Sequence, residues 1–317
     1  MLALVLLASG VTHASPLCGR HEAASPALQR LSQAMAQGRF VAYQPTQIRI
    51  VNGVASVADA AGIEADLQVL RGRFDGLITY GALNGADRVP DIAARLGFRA
   101  VIVGIWDIAD EREVVAALAA ADRQPQLVVG LSVGNERVLA GKTNFQALAR
   151  DMERLRQRRL RLPLATTEPF HLFQQVAAAP LLRSADFLLV NAHPVFQPWF
   201  RDASDADAAR FVVNVTRDVA AQFCGPLLVK ETGVPTAPAA LGYTQSRQAG
   251  FYRALRAQLP PSSRQAFAYF SAFDASWRVN DAHPTAGPQP QEGSWGLFTE
   301  QRQPKPAARE LPLLPRQ

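Results

Sequence analysis

Two glutamates in this chain sit where chemistry is usually done. Val133-Gly134-Asn135-Glu136 and Lys230-Glu231-Thr232-Gly233 each follow an apolar run, so both carboxyl groups come where a strand stops. A carboxyl pair facing one cleft can cleave a glycosidic bond. One member stays protonated and donates to the leaving oxygen; the other stays ionised and attacks the anomeric carbon. Taken singly, a strand-end Glu is as readily an ion-pair partner. The other candidates cluster in the same way: Tyr80, Trp106, Asn135, Asn191 and Asp274 all come where an apolar run ends. The tryptophans Trp106, Trp199, Trp277 and Trp295 come at or beyond strand ends, and none falls in a helical pattern. Indole faces suit the C–H surface of a sugar ring, while nearby amides and carboxylates hold its hydroxyls. Capping of the core is the plainer role for any one of them.

The elements that must position these residues are legible. Apolar runs begin at Phe40, Gly76, Ala100, Leu127, Leu162, Phe187, Leu227 and Ala266. Each is continuous rather than alternating, as in parallel strands buried on both faces. Amphipathic segments lie between them at 57–71, 88–96, 110–122, 144–159, 171–184, 205–222 and 244–258. Asp110 opens an acidic first turn, and Thr143 or Asn144 supplies the next cap. The alternation predicts an α/β fold, a single (β/α)8 TIM barrel spanning residues 15–317, with active groups at the C-terminal ends of the strands. Strand counting does not show closure, so a doubly wound open sheet is the alternative. The segment Pro284–Gly293 reads as a long loop, and 303–317 as a tail wrapped on the barrel.

The chain has 317 residues, 48% hydrophobic and 19% charged, which excludes a disordered or fibrous protein. Its net charge of +6 is spread out, and no nucleic-acid motif accompanies it. Residues 2–8 are apolar but much shorter than the roughly 20 residues of a membrane span. With Thr12-His13-Ala14 behind them they read as a signal peptide over 1–14, which makes the protein exported, periplasmic or secreted. Cys18 and Cys224 either pair or stay apart; their spacing leaves both open. The histidines are scattered and no H-E-x-x-H occurs, so neither a metal nor a cofactor is implied.

From about residue 40 to 306 the chain resembles glycoside hydrolase family 17, the β-1,3-glucanases and β-1,3-glucanosyltransferases of the retaining (β/α)8 clan. Val133-Gly-Asn-Glu136 is similar to its acid/base signature, and Glu231-Thr-Gly-Val-Pro-Thr236 to its nucleophile signature. Thr79-Tyr80-Gly81 and Glu292-Gly-Ser-Trp-Gly-Leu-Phe298 match two further motifs. The chain departs from the family with Val234 where Trp is common, Ala275 after Phe273-Asp274, and Arg278 at a Lys position. The resemblance implies Glu136 as acid/base and Glu231 as nucleophile. It implies that Asn135 holds the sugar 2-hydroxyl and Tyr80 orients Glu231. It also implies that Glu292 and Arg278 contact sugar or tune the charge of the pair, with Trp106, Trp277 and Trp295 as stacking platforms; Asn191, at its strand end, is a further substrate-binding candidate. Trp277 and Trp295, with Trp199, are expected to floor an acceptor site that favours transfer over hydrolysis. His193, followed by proline, reads as a residue satisfying backbone. The expected partner is a β-glucan oligo- or polysaccharide, bound by a monomer without nucleic acid or membrane insertion.

Two other classes compete. A glucan-binding or polysaccharide-assembly accessory protein would keep the fold and lose turnover; the altered positions after strand eight favour it, the intact glutamates do not. Gly130-Leu-Ser132-Val-Gly134 fits the G-x-S-x-G elbow of a serine esterase. However, Ser132 lies within an apolar run and not at a strand-to-helix turn.

Overall fold

The computed structural model describes residues 16, 17, 19, 24–158, 161–281 and 288–314. The predicted signal peptide (1–14), Cys18 and part of the 284–293 loop lie outside the described residues. Leu17 runs beside the second cysteine, its N–H donating to Gln222 O and its carbonyl accepting from Cys224 N.

Among the described residues eight parallel strands close into a barrel, which settles the choice against an open sheet. They are β1 (Phe40–Ala42), β2 (Gly76–Ile78), β3 (Ala100–Ile105), β4 (Val128–Asn135), β5 (Leu164–Pro169), β6 (Leu188–Asn191), β7 (Leu227–Glu231) and β8 (Gln265–Tyr269). The first and last pair with each other, Phe40 opposite Ala268. Side chains split into two layers because successive residues face opposite ways. Phe40, Ile78, Ile102, Val129, Leu189 and Leu228 fill the barrel, and Leu31 and Met35 of the helix Ser25–Gln37 join that cluster. Val41, Leu77, Val103, Leu131, Val190 and Val229 belong to a second cluster with helix residues such as Ile63, Leu67, Val114 and Val212.

Most predicted helices start at a side-chain cap: Asp59, Asp110, Asn144, Ser204 and Thr244 each accept from a backbone N–H of the first turn. Asn144, not Thr143, caps its helix. The expected helix 171–184 is broken into Phe170–Phe173, a 3-10 turn at Val176–Ala178, and Ala179–Ser184. Pro180 accounts for the restart, since proline is tolerated only in a first turn. A hairpin, Ile50–Val51 with Val54–Ala55, was not anticipated. Its Asn52-Gly53 turn, both residues at positive φ, is the usual two-residue signal for one. The C-terminal tail does follow the barrel: Arg73 Nε donates to Ala308 O, and Leu314 N to Gly72 O. Among the described residues no helix is long and apolar enough to cross a membrane.

Candidate active site

The end of β4 is built to turn its last residues into the cleft. Its pairing with β5 slips between Ser132 and Asn135. Gly134 (φ 78°) and Glu136 (φ 53°) then adopt left-handed backbone, which is strained for a glutamate. Neighbouring chain holds this geometry. Glu136 N donates to Thr167 O at 2.8 Å, and the loop beyond is tied to buried Glu168, which accepts from Val138 N (2.7 Å) and Leu139 N (3.2 Å). Burial pushes the Glu168 carboxyl up to about 7. Glu231 ends β7 opposite Asn191 of β6, whose Nδ2 donates to Glu136 Oε1 at 2.8 Å.

The two carboxyl groups are driven apart in acidity. At Glu136, burial and then the charge of Glu231 raise the pKa above the usual carboxylate range, partly offset by the Asn191 hydrogen bond. At Glu231, burial also pushes upward. There His193, Lys230 and Arg278 outweigh it and hold the carboxyl at about 2. His193 Nε2 stands 3.6 Å from Glu231 Oε2, and Lys230 Nζ 3.7 Å from Oε1. The result is one site in which one carboxyl is raised in pKa and its neighbour is lowered.

A cleft of about 840 Å³ opens over the pair, and all ten sequence-predicted site residues line it: Tyr80, Trp106, Asn135, Glu136, Asn191, Glu231, Trp277, Arg278, Glu292 and Trp295. Their situations differ. Trp106 is 53% exposed and offers a free face. Trp277 is half-buried. Trp295 is only 2% exposed, wedged edge-on against His193 and Phe270 at ring separations of 5.0 and 5.2 Å. It is a wall of the cleft, with little face left for a sugar. Trp199 packs edge-on against Phe211 and is not part of the lining, so it does not contribute to an acceptor floor. Arg278 pairs with Glu292 at 3.3 Å, and its guanidinium stands 5.6 Å from the Phe270 ring centroid. The Tyr80 hydroxyl is buried with no hydrogen-bond partner among the described residues; burial and the charge of Glu231 raise its pKa well above the phenol range.

Three neighbours of the pair have roles that sequence reasoning does not give. Lys230 and Glu168 come at strand ends, but nothing in their spacing reveals burial. His193 reads as satisfying backbone; instead its Nδ1 has no hydrogen-bond partner among the described residues and its Nε2 faces Glu231. The cleft is further extended by the hairpin residues Ile50, Gly53 and Ala55. Ser132 is buried inside β4 with its Oγ 3.2 Å from Thr167 Oγ1, so it is no exposed nucleophile elbow.

Close strand packing places Tyr80. A Cβ at Gly104 of β3 would lie 2.4 Å from the Tyr80 carbonyl carbon and 2.5 Å from Thr79 O, and backbone cannot yield as a side-chain tip can. Gly104→Ala is therefore expected to destabilise by about 1–3 kcal/mol and to lower activity with it, read by urea unfolding beside an activity assay. Wild-type stability in that variant would show that β3 can shift freely.

A carboxyl pushed toward its protonated form beside a carboxylate held ionised, in a cleft walled by aromatic rings, is the equipment of an enzyme that cuts sugar linkages. The chain belongs to the BtgE/BtgC glycoside hydrolase domain family, whose model matches residues 41–296. Among solved structures, it is similar to a glycoside hydrolase family 17 β-1,3-glucanosyltransferase from Rhizomucor miehei. That match has 19% identity over 87% of this chain and 97% of the other, with TM-score 0.64. An endo-laminarinase from Formosa Hel1_33_131 matches at 18% identity over 83% of each chain, TM-score 0.64. A family 2 β-galacturonidase from Eisenbergiella tayi matches at 13% identity over 86% of this chain and 50% of its own length, TM-score 0.62. At these identities the likeness is one of fold. No curated protein matches by sequence.

Proposed function

We propose that this glycoside hydrolase acts on β-1,3-glucan by double displacement, with Glu136 as acid/base and Glu231 as nucleophile. The observation that carries the reading is the opposed acidity of the two groups, Glu231 held at about 2 while Glu136 is pushed up. In the first step Glu231 attacks the anomeric carbon, the glycosidic bond breaks, and Glu136 gives its proton to the leaving oxygen. Glu136, now ionised, then takes a proton from water or from a sugar hydroxyl, whose oxygen displaces Glu231. The four motifs that resemble family 17 support the linkage. So do the relatives described as a β-1,3-glucanosyltransferase and a laminarinase, one solved as an active-site mutant with laminaritriose. The proposal extends to a monomer exported to the periplasm or medium, with residues 1–14 as its signal; cell fractionation reads the location.

Two measurements test the chemistry. Proton NMR of a fresh laminari-oligosaccharide digest should show the β-anomer first, because two displacements restore configuration. The α-anomer appearing first removes the covalent step. Mass spectrometry of the same digest separates shortened products of hydrolysis from lengthened products of transfer. Absence of both leaves the accessory protein as the surviving reading.

The pH profile follows from the same pair. Activity needs Glu231 ionised and Glu136 protonated. The acid limb of kcat/KM should therefore fall only near pH 2, and the basic limb should descend where Glu136 loses its proton, above the ordinary carboxylate range. A profile that rises from pH 4 to pH 8 would invert the assignment.

A further inference from the structure

Beside Glu231 lies a lysine that enters the chemistry above only through its charge. Lys230 is 1% exposed, and an ammonium removed from water is costly unless acceptors and counter-charges surround it. Here they come from the ends of four strands. Nζ donates to Asn135 Oδ1 at 2.6 Å and reaches Thr167 Oγ1 at 3.4 Å. It stands 4.1 Å from the Tyr80 ring centroid and 3.7 Å from Glu231 Oε1.

The first of these contacts has a directional consequence. An ammonium only donates, whereas an asparagine amide has one accepting and one donating end. Asn135 must keep its carbonyl oxygen on Lys230, since the flipped amide would set N–H against N–H. Its NH₂ is then the end left to donate into the cleft that Asn135 lines. The remaining contacts concern charge. Lys230 and His193 stand on different oxygens of Glu231, and Glu136 also acts on the ammonium through space. Burial lowers the ammonium to about 8, against the opposing pull of Glu231 and Glu136, so it carries its charge through acid and neutral pH.

We infer that Lys230 is a positioning residue for the glycosidic reaction: it locks the Asn135 amide with its donor end toward the sugar hydroxyl beside the anomeric carbon, and it supplies positive charge to the attacking carboxylate. The inference rests on the reading of Glu231 as nucleophile. It gives the site a specificity, because an amide that can only donate rewards a donor sugar with a free hydroxyl at that carbon.

The test compares wild type, Lys230→Met, Asn135→Ala and the double variant on an aryl laminaribioside and its 2-deoxy counterpart. Methionine removes the charge at similar length, a replacement that buried sites often tolerate. Lys230→Gln, uncharged but still a donor, is carried alongside. Wild type should prefer the hydroxyl-bearing donor by about 100-fold or more, the signature of a hydrogen bond that tightens in the transition state. Lys230→Met and Asn135→Ala should each shrink that preference at least tenfold, and the double variant no further. In Lys230→Met the acid limb of kcat/KM should also climb by about 1–3 pH units, the effect of losing an opposite charge at this distance. An undiminished preference overturns the amide lock, and an unmoved acid limb overturns the charge role. Unfolding of both the Met and Gln variants makes the lysine structural and overturns both. A 2-deoxy-2-fluoro donor trapped on wild type keeps the underlying reading separate: label found away from Glu231, or none at all, sinks the nucleophile assignment whatever Lys230 does.

Discussion

Glu231→Ala should reduce turnover of laminari-oligosaccharides by on the order of 10⁴-fold or more. The reason is local. Glu231 ends β7, so its carboxyl group reaches the cleft and contributes no apolar contact to either cluster. Without the carboxylate the covalent step has no attacking atom. Azide should restore part of the rate by attacking from the vacated side and should give the inverted azide product. Glu136→Ala should lose comparable activity on oligosaccharides but much less on substrates with acidic aryl leaving groups, which depart without a proton. Substantial turnover of unactivated oligosaccharide by either variant would end the two-carboxylate assignment.

Asp66→Ala should be the most damaging single change away from the cleft, costing about 3–5 kcal/mol in urea unfolding. Asp66 is fully buried on the helix Ala60–Arg71. It accepts from Tyr43 Oη (2.9 Å), Thr46 N (2.9 Å), Thr46 Oγ1 (2.9 Å) and Arg302 Nε (2.8 Å). One carboxylate thereby joins the first barrel strand's loop to the C-terminal segment. Alanine removes the acceptor shared by the buried Tyr43 phenol, the Thr46 amide and the Arg302 Nε–H. A loss below about 1 kcal/mol would mean that water replaces the carboxylate at no great expense. Asp66→Asn should fall between, because it keeps an accepting oxygen but removes the charge that Arg302 requires.

Neither Asp66 nor its partners could be found by reading along the chain: Arg302 and Asp66 are brought together only when the tail returns to the first helix–strand unit. The strands and caps are a different case. Continuous apolar runs identify parallel strands because both faces of each are covered, and the Asp110 and Asn144 caps follow from the orphan amides at helix starts. The strand-end rule then collects Glu136, Glu231 and the other candidates at one end before any contact is known. The broken helix 171–184 and the Asn52-Gly53 hairpin were missed, although Pro180 and the Asn-Gly pair were both visible signals.

Sequence by itself determined the class of fold, the end of the barrel that does chemistry, and the two carboxyl groups that stand there, because strand burial, capping and turn chemistry are written in neighbouring residues. Tertiary structure alone set the two acidities apart, since Glu231 owes its low pKa to His193, Lys230 and Arg278, delivered from different parts of the barrel end. It also decided that Trp295 is a wall and Trp106 an open face, and that Lys230 is buried against Asn135. Acidity and exposure are set by what surrounds a group within a few ångströms, and in a closed barrel those surroundings come from strands far apart along the chain.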